Sequence, residues 1–204
     1  MAAKLARVEF WYEFASTYSY PAAMRAGRLA GAAGVELVWR PFLLAPIFGA
    51  QGWNDSPFNI YPVKGRYMWR DLARICEADG LALNMPVRFP QNGLKAARLA
   101  ILGAGESWAP AFTRAVYEAN FARQQDIADD GVLAGILQAL GLDPLDVVMR
   151  AYAPENKAKL KAQSDEAIAK GIFGAPSFVV DGELFWGNDR LEQALAWAQR
   201  RGQS

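Results

Sequence analysis

β-Strand signals are confined to the two ends of this chain, and the long middle carries a helical pattern, an order that few folds accommodate. Residues 8–12, Val-Glu-Phe-Trp-Tyr, are β-branched and aromatic and predict a buried strand. Apolar spacing predicts a helix from about residue 17 or 19 to about residue 33, with Gly34 as its C-terminal cap, and then a strand over residues 35–39. A strand–helix–strand opening favours parallel pairing of the two strands.

The C-terminal end returns to β-structure. Two short apolar runs, residues 177–180 and 183–186, flank an Asp-Gly dipeptide at 181–182. Because Asp-Gly suits a type I′ turn, the pattern predicts a β-hairpin. A last helix follows from about residue 187.

The middle lacks strand signals. Residues 41 to about 62 are rich in Gly, Pro, Asn and Trp and predict a loop. The candidate helices beyond it are roughly 64–79, 92–104, 108–122, 130–140, 144–152 and 155–170. The whole order predicts an α/β fold in which a thioredoxin-like core, residues 1–45 and 172–204, is split by an inserted substrate loop and all-helical domain, residues 46–171.

Two residue counts exclude several kinds of chemistry. Histidine is absent and Cys76 is the single cysteine. The chain therefore has no Ser-His-Asp triad, no dithiol pair, no intramolecular disulfide and no cysteine-rich zinc site, and we predict no bound metal. A base that titrates near neutrality must come from a perturbed group or from a ligand.

Charge and hydropathy restrict the partners. The chain has 22 basic and 21 acidic residues without a dense basic block, which argues against nucleic acid. No segment has the roughly 18 consecutive apolar residues of a membrane span, and the N-terminal residues lack the pattern of a secretory signal. We therefore expect no membrane partner and a cytoplasmic location.

Three motifs lie on the predicted elements in a recognisable order. They are Phe-Ala-Ser-Thr-Tyr-Ser-Tyr at 14–20, Gly-Ala-Pro-Ser-Phe at 174–178 and Phe-Trp-Gly-Asn-Asp-Arg-Leu at 185–191. With Gly-Arg-Tyr-Met at 65–68 and a spaced Pro-Asn-Leu-Ala-Arg pattern at 90–98, the chain resembles 2-hydroxychromene-2-carboxylate isomerases over nearly its whole length. Those enzymes are relatives of kappa-class glutathione transferases and DsbA-like oxidoreductases, so the resemblance implies a DsbA/kappa-class-like thioredoxin fold.

The resemblance assigns a role to residues 16–19, Ser-Thr-Tyr-Ser. They occupy the position of Cys-x-x-Cys in the oxidoreductase relatives, so hydroxyls replace both thiols. In the family the sulfur comes from glutathione, whose thiol lies against the serine that matches Ser16, the implied catalytic residue. A serine hydroxyl cannot deprotonate a thiol of pKa about 8.5, so its role must be to stabilise the thiolate.

The resemblance also implies the rest of a glutathione site. A cis bond between Ala175 and Pro176 turns the Ala175 backbone toward the cysteinyl unit of the cofactor. Asn188 and Asp189, at the start of the last helix, match the family positions that hold the γ-glutamyl end, where a carboxylate can meet the ammonium group.

The implied reaction is a glutathione-dependent cis/trans isomerisation of an aromatic-degradation intermediate, which interconverts 2-hydroxychromene-2-carboxylate and trans-o-hydroxybenzylidenepyruvate. Candidates for binding the small aromatic substrate are Trp53, Asn54, Asp55, Arg66 and Tyr67. The relatives also imply a homodimer. Two alternatives are a kappa-like glutathione transferase acting on another electrophile and a thioredoxin-like binding module without catalysis.

The residues also allow plainer interpretations. Ser16 is a candidate helix N-cap, with Ser19 as its rival, and Asn188 and Asp189 suit a helix start equally well. Glu13, where many relatives have aspartate, either pairs with a nearby arginine or orients the turn before Ser16. Capping and ligand binding are compatible, because a helix start is also a site for anions.

Overall fold

Four strands form one mixed sheet within residues 6–202, the part of the chain that the computed structural model describes. The elements are, in chain order, β1 (Arg7–Tyr12), α1 (Ser19–Ala33), β2 (Glu36–Pro41), α2 (Ala45–Ala50), α3 (Pro57–Ile60), α4 (Pro62–Asp79), α5 (Leu94–Leu102), α6 (Ala109–Phe121), α7 (Asp130–Ala139), α8 (Pro144–Ala151), α9 (Pro154–Ala169), β3 (Ser177–Val180), β4 (Glu183–Trp186), a 3-10 turn (Asn188–Arg190) and α10 (Leu191–Gly202).

The strand order is β2-β1-β3-β4. β1 pairs with β2 in parallel and with β3 antiparallel, and β3 and β4 form the predicted hairpin. Asp181 and Gly182 both have positive φ, 49° and 85°, as a type I′ turn requires. The thioredoxin-like order of elements predicted from the sequence is confirmed.

Helices cover both faces of the sheet. Phe10 and Phe178 stack at 5.2 Å between ring centroids in the largest buried cluster, which also contains side chains of α1, α6 and α10. Because side chains alternate along a strand, Trp11 and Val179 lie on the opposite face, where they pack with Ala167 of α9. The largest cluster continues into α4, α5 and α7, so the inserted helices share a core with the sheet.

The predicted loop over residues 41–62 contains two short helices, α2 and α3, so this part of the prediction is wrong. The Ser56 side chain caps α3 by accepting a hydrogen bond from the Phe58 N–H at 3.3 Å. Helices of six and four residues are too short to produce a readable period. Within residues 6–202, no helix is long and apolar enough to cross a membrane.

Candidate active site

The turn between β1 and α1 is fixed by helix α6. The Glu13 carbonyl accepts hydrogen bonds from the Ser16 N–H at 3.0 Å and from the Tyr117 hydroxyl at 2.8 Å. The Asn120 side chain donates to the Phe14 carbonyl at 3.1 Å. Helix α6 therefore helps to determine where the turn presents the Ser16 side chain.

Ser16 joins the two ends of the chain. Its hydroxyl donates to the Ala175 carbonyl at 2.8 Å, across 159 positions in sequence, and the same oxygen accepts from the Ser19 N–H at 3.3 Å. Ser19 is the first helical residue of α1 and is fully buried, so Ser16, not Ser19, supplies a capping acceptor. The capping and ligand-binding interpretations of Ser16 therefore describe the same side-chain oxygen, on a partly buried residue.

The loop before β3 presents the Ala175 backbone to Ser16. The Ala175–Pro176 bond is cis, as predicted. The Ser177 hydroxyl donates to the Gly174 carbonyl at 2.8 Å, and a Cβ on Gly174 would come within 2.5 Å of the Trp186 indole nitrogen. Close packing against β4 thus holds the loop in place.

Asn188 and Asp189 lie beside this loop but are used differently. Asn188 is buried, and Arg25 of α1 donates to its carbonyl at 2.8 Å and to its side-chain oxygen at 3.1 Å. Asp189 is 70% exposed and its carboxylate lies 3.0 Å from the Arg190 guanidinium. The Asn188 oxygen is therefore bound within the fold, whereas the Asp189 carboxylate is accessible to a ligand. Sequence analysis missed Arg25 because its partner lies 163 positions away.

One cavity of about 1370 Å³ connects these elements. Its lining includes the predicted cofactor residues Ser16, Ala175, Pro176, Asn188 and Asp189, and the predicted substrate residues Trp53, Asn54, Asp55 and Tyr67. Arg66 is exposed and lies outside the lining, whereas Lys64, two residues earlier on α4, belongs to it.

The side of the cavity formed by α2, α3 and the loop between them carries several aromatic side chains. Trp53 packs on Phe48 with ring centroids 5.6 Å apart, and Phe58 meets Tyr18 edge to face at 6.2 Å. Gly65 lets α3 approach α4, because a Cβ there would lie 2.2 Å from the Phe58 carbonyl oxygen. Flat apolar walls of this kind suit a planar aromatic ligand.

Two acids in the lining already accept hydrogen bonds. Asp55 accepts from the Ser56 N–H at 2.6 Å and from the Asn59 amide at 3.1 Å, which organises its own loop. Asp71 accepts from the Tyr18 hydroxyl at 2.9 Å. Burial, followed by the hydrogen bond and charge of Asp71, raises the Tyr18 pKa, so Tyr18 stays neutral in the cavity.

Glu13 differs from these acids because it is buried. It is 8% exposed, belongs to the cavity lining, and accepts from the Ala15 N–H at 2.9 Å. Burial raises its pKa from 4.5 to about 7, against the lowering effect of backbone N–H groups. Among the described residues no arginine or lysine pairs with Glu13, so that interpretation is wrong.

The fold and site define a thioredoxin-like protein whose first helix begins beside serine hydroxyls and next to a cis-proline loop. A family model for the DSBA-like thioredoxin domain matches residues 7–196. A 2-hydroxychromene-2-carboxylate isomerase of Sphingobium xenophagum is 30% identical over 186 residues, covering 91% of this chain and 94% of the relative.

Two further comparisons agree. Glutathione s-transferase kappa 2 of Caenorhabditis elegans is 27% identical over 204 residues, covering 91% of this chain and 88% of the relative. A solved 2-hydroxychromene-2-carboxylate isomerase superimposes with a TM-score of 0.86 at 25% identity, covering 96% of this chain and 95% of the other. The chain belongs to the DSBA-like thioredoxin domain family, and its similarity to these relatives supports an enzyme of the isomerase class.

Proposed function

We propose that the protein is a glutathione-dependent cis/trans isomerase that interconverts 2-hydroxychromene-2-carboxylate and trans-o-hydroxybenzylidenepyruvate, or a closely related aromatic intermediate. The observation that carries the proposal is the 2.8 Å contact between the Ser16 hydroxyl and the Ala175 carbonyl in the large cavity. The same cavity thus contains a hydroxyl donor, an extended backbone segment at Ala175 and aromatic side chains.

The chemistry of the lining fits glutathione. The Ala175 backbone can pair with the peptide unit of its cysteine, and the accessible Asp189 carboxylate can pair with its ammonium group. The Thr17 hydroxyl is buried and has no hydrogen-bond partner in the described part of the chain, and Thr17 belongs to the cavity lining. A buried hydroxyl normally has a partner, and the fold supplies none for this one. Bound there, glutathione supplies a thiolate that adds reversibly to a conjugated double bond, which permits rotation.

Ser16 has a specific task in this scheme. Its proton points to the Ala175 carbonyl in the protein alone. Rotation about the Cβ–Oγ bond redirects the proton toward a sulfur beside it, while the Ala175 carbonyl accepts from the ligand backbone instead. Ser16 thereby stabilises negative charge on sulfur, helped by the N-terminal end of α1.

The substrate compartment orients the second reactant. Trp53 and Tyr67 provide apolar contact, and Asn54 offers a side-chain amide. Two cations belong to the lining, Lys64 and Arg190. Because Arg190 pairs with Asp189 at 3.0 Å, we assign the substrate carboxylate to Lys64, in the place first given to Arg66. Asp55 acts through the loop that it organises.

Turnover assays with either isomer test this function. We expect interconversion, followed by ultraviolet absorbance, to require glutathione and to leave its concentration unchanged. The kappa-class relative favours one alternative, a glutathione transferase, which would consume glutathione and form a conjugate. Absence of both reactions together with unaltered free glutathione would leave only a binding module.

The cellular location and the oligomeric state follow from the proposed use of glutathione and from the family resemblance. We place the protein in the cytoplasm because that compartment keeps glutathione reduced. We also propose a homodimer, which sedimentation equilibrium tests by the mass of the particle; a mass of 22.4 kDa would identify a monomer.

A further inference from the structure

The site needs an acceptor for the proton that a bound thiol loses, a question that rests on the proposed function. A serine hydroxyl is too weak a base for this purpose, and the chain has no histidine. Asp55 is exposed and organises its own loop, Asp71 binds both Tyr18 and Arg74, and Asp189 is exposed beside Arg190. Glu13 is the remaining acid of the cavity lining.

The Glu13 carboxyl belongs to the same turn as Ser16. Its oxygen Oε2 accepts from the Ala15 N–H at 2.9 Å, while its backbone carbonyl accepts from the Ser16 N–H at 3.0 Å. The other oxygen, Oε1, lies against Gly93, where an added Cβ would come within 2.9 Å. Glycine at this position therefore leaves room for Oε1 beside the cavity.

The surroundings of Glu13 are uncharged. The facing titratable groups are Tyr117 of α6 and, next to it, Tyr12 of β1, and burial raises the pKa of both, so both stay neutral. On the side of α5, the neighbouring Asn92 and Gly93 do not titrate. The charge of the Glu13 carboxylate is thus uncompensated, and uptake of a proton relieves its desolvation.

We propose that Glu13 is the proton acceptor of this site. The S–H bond of the bound thiol breaks, its electron pair stays on sulfur, and the proton forms an O–H bond on the Glu13 carboxylate, directly or through a water. The proton returns to sulfur when the cofactor leaves as a thiol. The transfer keeps one negative charge in the buried site, whereas loss of the proton to solvent would leave two like charges close together.

Proton counting tests this transfer without an assay of turnover. Glutathione is titrated calorimetrically into the protein at about pH 8, where the Glu13 carboxyl is mostly ionised, in buffers of different ionisation enthalpy, and thiolate is measured by ultraviolet absorbance. In the wild type we expect thiolate to form with almost no proton released to the buffer. In Glu13→Gln, which cannot take up the proton, we expect formation of bound thiolate to release about one proton to the buffer.

Glu36→Gln, at an exposed position on β2, is the matched control and should behave as the wild type. Infrared difference spectra of the wild type should also gain a protonated-carboxyl band when glutathione binds, which covers the case of a misfolded Glu13→Gln. Equal proton release by the wild type and Glu13→Gln, or no carboxyl band, would overturn the role of Glu13 while the proposed function stood. Absence of binding in the wild type would instead refute the proposed function.

Discussion

Replacing Glu13 by glutamine should remove a defined pH dependence of stability. Burial raises the pKa of this carboxyl from 4.5 to about 7 in the folded protein. Because one pKa unit corresponds to about 1.4 kcal/mol, ionised Glu13 destabilises the folded state by about 3 kcal/mol relative to its neutral form. Glutamine keeps the shape and an acceptor for the Ala15 N–H but cannot ionise.

The sign follows from proton binding. Below the ordinary pKa both the folded and the unfolded state carry the proton, so the stabilisation from neutral Glu13 is fully present. Between pH 4.5 and about 7 the unfolded state loses the proton while the folded state retains it, so wild-type stability falls. Above about pH 7 both states are ionised, and the folded protein remains less stable by the whole amount.

Urea unfolding of both proteins at a series of pH values measures this effect, since other groups cancel in the difference. We expect the free energy of unfolding of Glu13→Gln minus that of the wild type to rise by about 3 kcal/mol from about pH 4 to about pH 8. Glu36→Gln, exposed on β2, should show no comparable change. A difference for Glu13→Gln that stays constant with pH would refute the burial argument.

Three further substitutions probe other parts of the cavity. Asp189→Asn should weaken glutathione binding about two- to fivefold in calorimetry, because an exposed ion pair contributes up to about 1 kcal/mol; an unaltered Kd would remove Asp189 from the site. Gly65→Ala should displace Phe58 and raise the substrate KM, with about 1–3 kcal/mol of lost stability from overpacking, whereas an unchanged KM would show that α3 does not shape the pocket. Tyr18→Phe loses its hydrogen bond to Asp71 and should lower the free energy of unfolding by about 1 kcal/mol; equal stability in urea would discount that contact.

The fold was largely predictable because its signals are local. The turn at Asp181 and Gly182 needs two residues that tolerate positive φ, and an Asp-Gly dipeptide predicts such a turn. The cis bond before Pro176 came from the family resemblance. A second cis bond, Phe89–Pro90, went unnoticed because a proline alone carries no sign of its isomer. The helices α2 and α3 were not predicted because each spans less than two turns, too short for a helical period to be recognised.

The site was predictable only in its outline. Motifs indicated Ser16 and Ala175, yet the link between them joins opposite ends of the chain. Helical spacing could not decide whether Lys64 or Arg66 faces the cavity, since the side of α4 that faces the cavity is set by its packing against α3. The raised pKa of Glu13 depends on its burial near Tyr117 and Gly93, residues far away in sequence, so no local pattern shows it.

The most direct test of the central claim is a titration of glutathione into the wild type and Ser16→Ala near neutral pH, followed by the ultraviolet absorbance of thiolate. Circular dichroism checks folding of the variant, in which loss of the contacts to Ala175 and Ser19 should cost about 1–2 kcal/mol. We predict a saturable rise in thiolate for the wild type and its loss in folded Ser16→Ala. No saturable rise in the wild type, or an equal rise in the variant, would contradict the claim that Ser16 stabilises a glutathione thiolate.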